Sequence, residues 1–172
     1  MKHVSLILII IASAVMLSCY HNDSEPITET TLPIDRQYVP ETTIFQRSDK
    51  EFFDKIQWLN EKKFIVNAQS DFPDDRLGFS SAYKDIDFSR NTLLLYYRVH
   101  DWKIDAYQNI YFRNNLEHTY NWNIHIGTST IPDSHAETLH ITRFAILVHK
   151  VPENAEMKIF SILSAINWGW ED

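Results

Sequence analysis

The feature that most constrains the fold is an alternation of apolar and polar residues in the second half of the chain. From Leu116 to Ile126 every second residue is apolar or aromatic, apart from His118, and the intervening residues are polar. Such alternation puts one set of side chains on each face of a β-strand. Residues 91–99 and 144–148 are instead apolar on both faces, which is typical of buried central strands. This half of the chain therefore predicts a β-sheet domain.

Turn-forming residues separate these segments and help to define the fold class. Asn114-Asn115 and Pro152-Glu153-Asn154 lie between apolar segments, and asparagine and proline favour turns. We expect residues 157–162 to pair back after the second turn. A doubly wound α/β fold is not expected, because predicted helices do not alternate with predicted strands. The predicted class is mainly β (α+β), an antiparallel β-sandwich or partly closed barrel with one early helix.

The early helix is predicted over residues 49–60. Ser48 and Glu51 have the spacing of a capping box, in which each side chain bonds the backbone amide of the other residue. Apolar residues then recur at helical spacing between Phe52 and Leu59.

Burial must supply the stability of the domain, because the chain holds one cysteine and cannot form an internal disulfide. Aromatic residues make up 13% of the sequence, and there are only three glycines. Residues on the apolar faces of the predicted strands are therefore expected to form the core. We expect burial of Leu94, Tyr96, Trp122, Phe144 and Ile146.

The N-terminal residues have the composition of a secretory signal. Met1-Lys2-His3 is basic, residues 4–15 are almost wholly apolar, and Ser18 is followed by the single cysteine, Cys19. This arrangement resembles the lipobox of bacterial lipoproteins, in which the cysteine thiol is acylated and becomes the mature N-terminus. The resemblance implies a signal peptide over residues 1–18 and lipidation of Cys19.

A lipidated cysteine also implies a location and a domain organisation. The mature protein is expected in the bacterial cell envelope, held to the outer membrane through its N-terminal lipid, on the periplasmic or the surface face. Residues 19–40 are rich in Thr, Glu, Asp, Ser and Pro, which predicts a flexible tether after the lipidated cysteine. Residues 41–172 are predicted to form a single β-rich globular domain, with the residues before about 41 outside the fold.

Residues 86–94, with the sequence Ile-Asp-Phe-Ser-Arg-Asn-Thr-Leu-Leu, carry a family resemblance. An Ile-Asp-Phe-Ser segment followed two residues later by Thr-Leu resembles the strand opening of small Bacteroidota lipoproteins of unassigned function. It is also similar to the C-terminal domain of protease-complex-stabilising lipoproteins, which continues with a Gly-Gly-Tyr segment that residues 99–107 lack. The resemblance implies a β domain on an envelope lipoprotein and identifies no site residue.

Charge and histidine spacing limit the kinds of partner and cofactor. The formal net charge is −7 and no basic run is present, which argues against nucleic-acid binding. His135 and His140 are five residues apart, so on a strand they would lie on opposite faces and could not share a metal ion. No cofactor, no metal site and no catalytic residue is predicted.

Aromatic residues at the ends of predicted strands are the candidate ligand-binding groups. Tryptophan beside Asp, Asn or His offers a flat apolar face with hydrogen-bond partners, which suits a glycan or an extended peptide. The candidates are His100, Asp101, Trp102, Trp168 and Trp170. We expect Trp102 and Trp170 to be more exposed than Trp122.

These features predict a non-catalytic binding or accessory module for a glycan, a peptide or a partner protein. The alternative is an envelope hydrolase, although residues 78–82 lack the second glycine of a nucleophile elbow. A cavity with converging acid and base groups would favour the hydrolase.

Overall fold

The computed structural model describes residues 28–46, 48, 58–72, 80–129 and 137–165. These residues form nine β-strands and two short 3₁₀ helices, at Gln69–Asp71 and Ser80–Tyr83. The strands are β1 (Glu29–Thr31), β2 (Arg36–Gln37), β3 (Glu41–Gln46), β4 (Lys63–Val66), β5 (Asn91–His100), β6 (Ala106–Asn114), β7 (Thr119–Thr128), β8 (Thr138–His149) and β9 (Glu156–Ala165). The prediction of a mainly β protein is confirmed.

The strands lie in two sheets. Sheet A has the order β1-β6-β7-β9, and sheet B has the order β2-β8-β5-β4, with β3 following β2 along the same edge of β8. Pairing is antiparallel throughout the described strands except between β7 and β9, which are parallel. The sheets do not close into a barrel, and their packing corresponds to a β-sandwich.

Buried side chains from both sheets meet in one apolar layer between them. Tyr111, Trp122 and Ile159 from sheet A belong to the same cluster as side chains of β5 and β8 from sheet B. The indole N–H of Trp122 donates a 3.0 Å hydrogen bond to Asn109 Oδ1, so its polar atom is satisfied inside this layer. All five predicted core residues are at most 1% exposed, which confirms that prediction: Leu94, Tyr96, Trp122, Phe144 and Ile146.

Sheet B is covered on its second face as well. Leu93, Leu95 and Tyr97 point away from sheet A and form a second apolar cluster, to which Leu59 and Tyr83 contribute from the segment before β5. Sheet B therefore lies between two apolar layers. This double coverage explains why the sequence of β5 is apolar on both faces.

The segment predicted as the end of the tether belongs to the fold. β1 pairs with β6 in sheet A, and β2 pairs with β8 in sheet B. Between these strands, Leu32 and Ile34 are half-buried and pack against the layer between the sheets. The predicted boundary at residue 41 is wrong, because a short polar segment can be ordered by completing two sheet edges while burying only a few apolar side chains. Cys19 and residues 1–18 lie outside the described residues.

β9 does not pair back onto β8, contrary to the expectation for residues 157–162. One edge of β8 is paired with β5, and the other edge is paired with β2 and β3. β9 instead crosses to sheet A and pairs in parallel with β7, where Ile159 lies opposite Trp122. The occupied edges of β8 give the physical reason for this crossing.

The alternating segment begins later than the sequence pattern suggests. Asn114 ends β6, and its Oδ1 accepts hydrogen bonds from the backbone N–H groups of Leu116 and Glu117, at 3.0 Å each. Leu116 is 65% exposed and His118 has a φ of 56°. Both residues lie in the hairpin turn, so the turn predicted at Asn114 is confirmed and the strand begins at Thr119.

The predicted early helix falls largely outside the described residues, which omit 49–57. Residues 58–61 form a turn, and Leu59 within it is 3% exposed.

Candidate functional site

The structure places His100 and Trp102 in the interior. Their side chains are 5% and 4% exposed, and their ring centroids lie 4.4 Å apart. Trp102 is slightly more exposed than Trp122, which is 0% exposed, as expected. The interpretation of Trp102 as an exposed ligand-binding ring is nevertheless wrong, because the chain leaving β5 turns inward and Trp102 joins the same apolar layer as Trp122. Asp101 is partly exposed. The other two candidates lie outside the described residues: Trp168 and Trp170.

Both ring nitrogens of His100 are hydrogen-bonded. Nδ1 lies 2.6 Å from the backbone carbonyl oxygen of Trp102, and Nε2 lies 2.8 Å from Thr142 Oγ1. Burial lowers the pKa of His100 to about 4, although the Trp102 carbonyl acts in the opposite direction. His100 is therefore neutral near pH 7.

The carbonyl fixes the direction of a chain of hydrogen bonds that continues to the surface. Because a carbonyl oxygen can only accept, His100 Nδ1 carries the proton and Nε2 of the neutral ring accepts one from Thr142. Thr142 Oγ1 also lies 2.7 Å from Thr42 Oγ1, directly across the β3–β8 pair. Since the single hydroxyl hydrogen of Thr142 is given to His100, Thr42 is the donor in this last bond.

Thr42, the outer end of this hydrogen-bond chain, lies in a pocket of about 220 Å³. The pocket lies where the start of β3, the middle of β8 and the start of β6 come together, at one end of the sandwich. It is lined by Val39, Pro40, Thr42, Ile104, Asp105, Ala106, Tyr107 and Thr142. Of the candidates named from the sequence, the three that the structure describes, His100, Asp101 and Trp102, are not among its lining residues, but His100 supports its Thr142 wall from behind.

Asp105 is the charged group of the pocket. Its Oδ2 accepts hydrogen bonds from the backbone N–H and the hydroxyl of Ser129, at 2.6 and 2.7 Å, and these bonds hold the pKa of the carboxyl below its usual range. Its Oδ1 lies 3.4 Å from Lys103 Nζ. The backbone N–H of Asp105 donates to the carbonyl of Gly127, at 3.0 Å, which ties the loop to the end of β7. The carboxylate is thus ionised and fixed in position.

The Thr142–His100 pair has the geometry of a nucleophile beside a base, but it lacks the required access and basicity. Thr142 is 0% exposed, so a substrate carbonyl cannot approach its hydroxyl without a rearrangement. A histidine with a pKa of about 4 is also a weak base near neutral pH. The pair therefore holds the pocket wall in place.

The sequence analysis identified none of the residues that line the pocket, including its polar groups Thr42, Asp105 and Thr142. Thr142 and Arg143 interrupt β8 between Ile141 and the apolar residues 144–148, and a polar residue at a buried position requires a hydrogen-bond partner. That interruption was the available signal. The partner of Thr142 could not be identified, because Thr42 lies 100 residues away in the chain.

No protein-family model, curated protein or solved structure matches this chain. Among the described residues, no three His, Cys, Asp or Glu side chains form a group that could hold a metal ion. The same part of the chain contains no helix that is long and apolar enough to cross a membrane.

Proposed function

We propose that this protein is a non-catalytic binding or accessory module of the bacterial cell envelope. Its pocket receives part of a glycan, a peptide or a partner protein. The supporting observation is the hydrogen-bond chain from Thr42 through Thr142 to His100, which fixes one wall of the pocket before any ligand arrives. A wall that is already ordered does not lose conformational entropy on binding.

A second part of the pocket lining is ordered in the same way. Asp105 is held by two hydrogen bonds from Ser129 and by its backbone bond to β7. The apolar surface of Val39 and Ile104 lies beside these polar groups. Apolar surface with a few fixed polar groups is the usual composition of a ligand site.

The envelope location rests on the N-terminal sequence. The apolar residues 4–15 and the Ser18-Cys19 junction resemble a lipoprotein signal, and acylation of Cys19 would anchor the domain. The resemblance of residues 86–94 to small envelope lipoproteins supports the same location.

Filling the pocket by mutation tests this proposal. The full chain, purified in a mild detergent, is applied to arrays of envelope glycans and of peptides. Ala106→Trp should abolish the binding that the wild type shows, because Ala106 lines the pocket and an indole would fill it. Leu116→Trp is the matched control, since Leu116 is exposed in the hairpin at the other end of β6. Binding that survives in Ala106→Trp would contradict the proposed site.

One observation favours the hydrolase alternative, namely the 2.8 Å contact between Thr142 Oγ1 and His100 Nε2. Hydrolysis of an envelope ester or glycan by the full chain, lost in both Thr142→Val and His100→Gln, would establish that function in place of the binding module. A folded protein that binds its ligand and does not turn it over would support the binding module.

A further inference from the structure

We infer that the pocket beside Thr42 recognises a primary ammonium group carried on an aliphatic or sugar carbon. This inference rests on the proposed binding function and names the chemistry of its ligand. The shared chemistry could be supplied by a lysine side chain or by an amino sugar. Three properties of the pocket support it: its charge, the direction of its hydrogen bonds and the surface beside them.

The charge of the pocket is set by Asp105. Its carboxylate offers about four acceptor positions. Two of these, on Oδ2, are taken by Ser129, and Lys103 Nζ lies 3.4 Å from Oδ1. The side chain of Lys103 is 78% exposed, so its ammonium can leave easily. Lys103 thus shows that an ammonium group can reach Oδ1, and a ligand ammonium could replace it there.

The direction of the hydrogen bonds makes Thr42 an acceptor toward the pocket. Its single hydroxyl hydrogen is given to Thr142, because Thr142 donates to the neutral His100 ring. Both lone pairs of Thr42 Oγ1 remain for a ligand. Asp105 also only accepts when ionised. Two fixed acceptors favour a ligand with several donors, and an ammonium group has three.

The apolar lining favours an organic ammonium over a bare metal cation. Val39, Pro40 and Ile104 line the pocket beside the acceptors. A carbon chain or sugar ring attached to the ammonium would contact them, whereas a small hydrated cation would gain nothing from that surface. A carboxylate ligand would be repelled by the Asp105 charge, and the Thr42 hydroxyl would have no hydrogen left to donate to it.

Matched probes test the inference. The full chain, labelled with nitrogen-15 and kept in a mild detergent at pH 7, is titrated with n-butylammonium, n-butanol and butyrate, which share one carbon skeleton. We expect n-butylammonium to shift the backbone amide signals of Asp105 and Ala106. We expect it to bind at least tenfold more tightly than the other two compounds, because only the ammonium group can form a charge-assisted hydrogen bond with Asp105. Titration with N-acetyl-lysine amide and with glucosamine then distinguishes the two sources.

Variants locate the contacts. Asp105→Asn should weaken n-butylammonium binding at least tenfold. Thr42→Val should weaken it severalfold, and Thr42→Ser, which keeps the hydroxyl, should not. Lys103→Ala should strengthen binding, because it removes the competing ammonium group. Lys158→Ala is the matched control: it removes the same charge beside Glu117, at the other end of the domain, and should have no effect on binding.

The outcomes separate this inference from the proposed function. If butanol or butyrate binds in the pocket as tightly as n-butylammonium, the ammonium inference is overturned, whereas the proposal that the pocket binds a ligand still stands. Tighter n-butylammonium binding that is unchanged in Asp105→Asn and Thr42→Val would overturn it as well. A glycan or peptide that binds the wild type and the blocked Ala106→Trp variant equally would instead overturn the proposed binding site.

Discussion

His100 combines a buried position with a full set of hydrogen bonds. The sequence marked it as a candidate ligand-binding group because it ends a predicted strand beside Asp101 and Trp102. The structure places it behind the pocket wall, where it fixes the proton of Thr142. The buried position of His100 depends on the chain turning inward at Trp102. That turn is set by how the two sheets pack at this end of the domain, which a local sequence pattern does not contain.

Neutral His100 should make the stability of the protein depend on pH. An unfolded histidine takes up a proton near pH 6.5, whereas burial lowers the pKa of His100 to about 4 in the folded state. The unfolded state therefore binds more protons between these values, and stability falls as the pH drops through that window. From pH 7 to pH 5 we expect a loss of about 2 kcal/mol in the free energy of unfolding.

Urea unfolding at several pH values measures this loss. The groups nearest His100 are Trp102, Thr142, His140, Arg98 and Asp101, so the wild type must be compared with a variant that changes His100 alone. His100→Gln can donate and accept hydrogen bonds but does not titrate, and it should lose less stability than the wild type over the same window. Equal losses in the two proteins would contradict a buried neutral His100.

Leu94 should contribute strongly to stability. It is 0% exposed, and Leu94→Ala should lower the free energy of unfolding by roughly 2–5 kcal/mol, through lost burial and the cavity left behind. Leu116→Ala is the matched control, because Leu116 is 65% exposed and its loss should cost less than about 0.5 kcal/mol. Similar effects of both changes would be inconsistent with the described core.

At the scale of elements, the central strands were predictable and the edges were not. The double apolar face of β5 and the alternation of β7 reflect burial that each strand experiences directly. β1 and β2 have only three and two residues, and their pairing partners lie far away in the chain. The parallel pairing of β9 likewise depends on which edges of β8 are already occupied. Such information is not contained in a local hydrophobic pattern.

The segment between β1 and β2 should be needed for stability. Leu32 and Ile34 are half-buried against the layer between the sheets, so Leu32→Ser with Ile34→Ser should lower the free energy of unfolding by about 2 kcal/mol. Val39→Ser is the control, because Val39 lies just after β2 and is 79% exposed. Thermal unfolding distinguishes the two cases. A double variant as stable as the wild type would restore the tether interpretation.

At the scale of the whole molecule, the chain is predicted to be anchored at one end. Metabolic labelling with a fatty acid should mark the protein in its native cells, and Cys19→Ala should remove the label. Stable membrane attachment is expected to require more than one acyl chain, since a single chain holds only weakly. A Cys19→Ala protein that still fractionates with membranes would contradict the lipid anchor.

The course of β6 has a consequence for orientation. β6 begins at Ala106, beside the pocket, and ends at Asn114, where the backbone of Asn115 bonds to Thr28. A lipid on Cys19 would lie at most roughly 30 Å of extended chain from Thr28. The strand itself spans about 27 Å. The hairpin of an anchored domain would therefore stay within this distance of the lipid, whereas the pocket could lie up to one strand length farther away.

Fluorophores attached to introduced cysteines can report this orientation. A label at Leu116→Cys should be quenched by a quencher carried on lipid headgroups more strongly than a label at Ala106→Cys. A ligand would therefore bind at the end of the domain that can lie farther from the membrane.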